Sequence, residues 1–146
     1  MIKKAIPAAL ICLALSMCSR PEPRLVYSPA SAEEQAYFNK ATATPLRFTA
    51  SRERNAEVWE RIRVFIIRYS PVEVRTPDEF SIVTFVPQWS EDFSYSASRM
   101  RRGNMVEFTV SCIHGRFGVD APAQQNAHVL AHYALTGELN GKFVRT

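Results

Sequence analysis

Residues 92–113 read DFSYSASRMRRGNMVEFTVSCI, and their alternation decides the fold. Phe93, Tyr95 and Ala97 fall on one side of an extended chain, with Ser94, Ser96 and Ser98 on the other. After a break at Arg101-Arg102-Gly103-Asn104, the apolar side resumes with Val106, Phe108, Val110 and Cys112, opposite Glu107, Thr109 and Ser111. Successive side chains of a strand point to opposite faces, so this alternation means one buried face and one wet face. Gly103 and Asn104 tolerate the positive φ that a two-residue hairpin turn demands. The stretch therefore predicts an antiparallel hairpin whose apolar face needs a cover.

Working outward, residues 80–86 are apolar at nearly every position, which predicts an interior strand stopped by Pro87. Val72 to Arg75 alternates apolar and charged, and Thr76-Pro77-Asp78-Glu79 is a turn in which Pro presets a turn dihedral. Leu46-Arg47-Phe48 is a brief extended piece. The cover comes from two amphipathic segments. From Ser51 onward, Trp59, Ile62, Phe65, Ile66 and Tyr69 form a helical stripe that ends before Pro71. The second helix opens at Asp120-Ala121-Pro122 and closes at Gly137, with Ala123, Ala127, Leu130 and Ala134 as a small-residue stripe for close approach to the sheet. These elements predict an α+β domain over residues 46–146: an antiparallel sheet of about four strands with the N- and C-terminal helices packed on one face, in the order helix-β-β-β-β-helix.

The remaining chain has another character. With 146 residues, 47% hydrophobic and 22% charged, the sequence has room for one folded domain with a modest core. Residues 1–18, MIKKAIPAALICLALSMC, start basic at Lys3 and Lys4 and run apolar from Ala5 to Cys18. That run is shorter than the roughly 20 residues of a membrane-spanning helix and has the form of an export signal. Residues 19–45 follow as a tether, rich in proline as far as Pro29, with a short helix after it. Ser31 and Glu34 have the spacing of a capping box for that helix, which predicts helical structure through Asn39. Without Lys3 and Lys4, the formal charge of +4 falls to +2, on basic residues that are nearly all Arg and scattered along the chain. Such a balance offers no footprint for nucleic acid.

Leu15-Ser16-Met17-Cys18 resembles the lipobox of bacterial lipoproteins, although Met17 stands where a Gly, Ala or Ser is usual. The resemblance covers the signal only. It implies that Cys18 is acylated and becomes the first residue of a membrane-anchored chain in the cell envelope. Ser19, directly after it, resembles the sorting pattern of outer-membrane lipoproteins of enteric bacteria, which places the anchor in the outer membrane, facing the periplasm. Ordinary cleavage without a lipid gives the alternative, a soluble periplasmic or secreted binding protein. Cys12 lies inside the leader, and Cys112 shares strand parity with apolar neighbours, so Cys112 is expected buried as a small hydrophobe.

Candidate chemistry is sparse. His128 and His132 lie four apart on the last helix, a spacing by which a helix can offer two imidazoles to zinc. Position 129 is Val rather than part of an H-E-x-x-H motif, and a catalytic zinc needs a third ligand and a general base. The pair is thus a weak metal candidate, and a metal-dependent hydrolase is the remotest reading. No G-x-S-x-G elbow or phosphate-cradling Gly-rich loop is present, no catalytic residue is assigned and no cofactor is expected. Arg99, Arg101 and Arg102 cluster at the hairpin tip, where they could touch a partner protein or an anionic surface. The expectation is a non-enzymatic binding or assembly module, lipid-anchored in the envelope, with an envelope protein as its partner.

Overall fold

The computed structural model describes residues 28–75, 78–85 and 90–145. The export signal, Cys18, the first part of the tether, Thr76-Pro77 and the end of the apolar run at 86–87 lie outside the described residues. The chain is α+β, with three helices and a five-stranded antiparallel sheet. In order come α1 (Ala32–Ala43), β1 (Arg47–Ser51), α2 (Asn55–Tyr69), β2 (Val74–Arg75), β3 (Ser81–Thr84), β4 (Phe93–Arg102), β5 (Met105–His114) and α3 (Ala121–Thr136). The strands lie in the order β1-β5-β4-β3-β2.

The hairpin of β4 and β5 is the centre of the sheet. Ten residues pair on each side, with Tyr95 opposite Cys112 and Ala97 opposite Val110. Gly103 takes φ 60°, while no residue other than glycine has positive φ among those described, the pattern of a type II′ turn with glycine first. The apolar side predicted from the alternation is buried: Phe93, Tyr95, Ala97, Val106, Phe108, Val110 and Cys112 all lie in the core. On the other face, Ser96 and Ser111 pair across the strands through their hydroxyls at 2.6 Å.

The sheet has one strand more than the sequence predicts. The brief extended piece continues to Ser51 as β1 and pairs with β5, Phe48 opposite Phe108 and Ala50 opposite Val106. The charged run SRER then forms a turn, and α2 starts at Asn55 rather than near Ser51. A five-residue strand with only Phe48 and Ala50 buried shows too little alternation to stand out from a loop. The run at 80–86 differs in a second way. β3 lies between β4 and the two-residue β2, and Phe80, Val83 and Phe85 are 61%, 42% and 54% exposed. Continuous apolarity here does not reflect burial on both faces.

Both long helices cover the same side of the sheet. Phe65 of α2 meets Tyr95 of β4 edge to face at 5.7 Å and Tyr133 of α3 at 6.1 Å. Trp59 lies over Phe108 at 6.5 Å. The predicted stripe of α2 is observed, with Val58 added as a buried member. α3 begins at Asp120, whose carboxylate accepts from the Ala123 N–H, and ends at Gly137 with φ 78°. Its Ala123, Ala127, Leu130 and Ala134 are buried, but so are Gln125, Asn126 and His132.

The added burial has a clear cause: α1 and residues 137–145 cover the side of α3 that faces away from the sheet. α1 lies in the stretch read as tether, and it is packed on α3. Ser31 accepts from the Glu34 N–H and the Glu34 carboxylate from the Ala30 N–H, a capping box in which the return bond lands one residue early. The helix runs to Ala43, one turn past Asn39. Tyr37 and Phe38 stack on Phe143 at 5.3 and 5.5 Å, and Lys142 pairs with Glu34. Gln125 donates to the Phe143 carbonyl, and Asn126 exchanges two hydrogen bonds with the Arg145 backbone. Among the described residues, no helix is long and apolar enough to cross a membrane.

Candidate functional site

The arginines of the hairpin end divide by strand parity. Arg99 and Arg101 fall on the side of β4 that the helices cover, whereas Arg102 falls on the open face. There Arg102 and Arg47 approach Glu107 at 3.8 and 3.9 Å. The expected trio is therefore two arginines on one face and one on the other. A different arginine completes the group: the Arg52 N–H donates to the Asn104 carbonyl, which holds the end of β1 against the hairpin turn.

Arg52, Arg99 and Arg101 border a concavity of about 280 Å³, with Glu79, Phe80 and Val106 completing much of its wall. Arg99 is fixed there by three partners. Its Nε donates to the Glu79 carbonyl at 2.8 Å and its Nη1 to Asn55 Oδ1 at 3.2 Å. Its guanidinium also lies over the Trp59 ring, 4.7 Å from the centroid, as a cation–π contact. Arg52 and Arg101 are exposed. The site presents three guanidiniums against the single carboxylate of Glu79 and can bind an anionic group by charge-assisted hydrogen bonds.

Arg52, Asn55 and Phe80 were not singled out in the sequence. The signal that finds Arg52 is indirect. Once β1 is recognised as pairing antiparallel to β5, with Ser51 opposite Met105, the next residue must reach the hairpin turn.

The histidine pair sits elsewhere and holds α1 in place. His128 Nδ1 donates to the Thr44 carbonyl at 2.8 Å, and His132 Nδ1 lies 3.2 Å from Thr44 Oγ1. His132 is buried, meets the Tyr37 ring edge to face, and has Nε2 3.6 Å from the Glu138 carboxylate. Both rings thus spend one nitrogen on the last residue before Pro45. Among the described residues, no third His, Cys, Asp or Glu joins them in a cluster able to hold a metal ion. The third imidazole, His114, is remote from that role: its Nδ1 lies 2.7 Å from Asp120, and its ring stacks on Phe93.

Cys112 is buried as its parity predicts. Burial pushes its thiol from 9.0 up to about 12, with a hydrogen bond to Asn126 opposing the rise. Burial likewise raises the phenol of its neighbour Tyr95. A thiol held neutral in this way is not a nucleophile near neutral pH. Compared with known families and with curated proteins, the chain matches no family model and no curated protein.

Proposed function

We propose that the chain is an exported bacterial envelope protein, anchored through a lipid on Cys18, whose folded part is a non-enzymatic binding module. One observation carries the reading: a short basic-then-apolar leader ends at Cys18 in a lipobox-like context, and a polar, proline-containing stretch separates it from the folded part. The leader is too short to anchor the chain by itself, and the lipid would supply that function. The polar, proline-containing sequence from Ser19 to Pro29 would serve as the spacer between lipid and domain. Binding rather than catalysis is supported by where the reactive side chains lie. The thiol is buried, and the histidines are tied to backbone and hydroxyl partners that organise α1 and α3. Among the polar features facing solvent is the arginine-bordered concavity.

Substitution of Cys18 by Ser tests the anchor. Fatty-acid labelling and membrane fractionation in a bacterial host should show the parent chain labelled and membrane-bound, and Cys18→Ser unlabelled and soluble. A Cys18→Ser chain that still fractionates with membranes would sink the lipid-anchor reading.

A further inference from the structure

Resting on that reading of the folded part as a binding module, we propose that the concavity at the hairpin end takes a carboxylate carried on an apolar stretch of a partner polypeptide. Arg52, Arg99 and Arg101 against Glu79 leave a local excess of two positive charges, enough for a single carboxylate and poorly suited to repel one. Arg99 is pre-organised for the role. Nε and Nη1 each make a hydrogen bond and the guanidinium lies over Trp59, which leaves further N–H donors of the fork for a ligand. Fixing a long side chain in advance lowers the entropy that binding must spend. Arg52 and Arg101 close on the anion as exposed donors.

The rest of the wall selects the kind of anion. Phe80, 61% exposed on the wall, gives the carboxylate's neighbours an apolar surface that a bare phosphate would not use. Glu79 on the wall adds repulsion that grows with ligand charge, which favours a monoanion over a dianion. A lipid surface fits less well. Adsorption to anionic headgroups draws on several basic side chains facing one plane, and Arg102, the next basic residue of β4, is turned to the opposite face with Glu107.

The test uses the purified Cys18→Ser chain and a fluorescent, C-terminally amidated synthetic peptide with a single Glu flanked by leucines. The expected result is saturable binding, with the Leu/Gln analogue roughly tenfold weaker and Arg101→Glu roughly tenfold weaker for the Glu peptide. Arg52→Glu, in a separate exposed position, should give a loss of similar size, and circular dichroism should show both variants folded. Equal binding of the Glu and Gln peptides, or no loss in either variant, would overturn the proposal. So would phosphatidylglycerol vesicles or inorganic phosphate binding in an Arg101-dependent way while the peptide does not. Because the measurement uses a chain without its lipid site, its failure is independent of the membrane-fractionation result.

Discussion

At the scale of single residues, Cys112 is the side chain whose environment makes the firmest demand. Its thiol is 2% exposed and its ionisation is pushed up to about 12, chiefly by burial. The sign of the consequence follows from linkage. The unfolded chain releases the proton first as pH rises, so the stability is fully present below about 9 and is lost on the way to about 12. Tyr95, raised in the same direction by burial and by Cys112, adds to the loss at higher pH. Urea unfolding should therefore show a midpoint that falls above pH 9, the free energy of unfolding dropping by roughly 1 kcal/mol per pH unit, and less steeply in Cys112→Ala. A midpoint flat between pH 9 and 11 would contradict this account. This burial was legible in the sequence because Cys112 shares a two-residue alternation with Val106, Phe108 and Val110. The histidine contacts were not, since their partner Thr44 lies 84 and 88 residues away along the chain.

Among elements, α1 depends most on distant parts of the chain. Its apolar residues Tyr37 and Phe38 both pack on Phe143, which is itself fully buried. Truncating a buried aromatic to alanine costs about 3–5 kcal/mol, much of the stability a domain of this size has. Phe143→Ala should lower the unfolding midpoint accordingly and expose residues 32–43 to limited proteolysis. Proteolysis of that segment no faster than in the parent chain would show that α1 is held by something else. The helix was visible as a capping box, Ser31 to Glu34, but its packing was not: it was read only as far as Asn39, and nothing local points to residue 143. β1 was missed for the opposite reason, its alternation being too short. The hairpin, α2 and α3 were legible because each carries a long periodic pattern closed by a turn, proline or glycine. The arginine site was half legible, Arg99 and Arg101 by clustering, while Arg52 joins them only through the β1–β5 register.

For the whole molecule, the sheet is strongest at its centre and weakest toward β2. β4 and β5 pair over ten residues beneath α2 and α3, whereas β2 pairs with β3 over two. Local opening starts where few buried contacts hold the backbone. Hydrogen exchange should be slowest at Tyr95–Ala97 and Val106–Cys112, and fastest among the strands at Val74–Arg75. Equal protection across the sheet would overturn this ordering. The clasp of residues 142–145 on α1 and α3 has a further consequence, which concerns time. Glu34 meets Lys142 across 108 residues of chain, and the rings of α1 pack on the distant His132 and Phe143. Closing so long a loop is repaid only when both of its ends are in place, so α1 docks after residues 142–145 are positioned. A chain whose sheet and α3 have formed before residues 142–145 find their place therefore leaves α1 undocked.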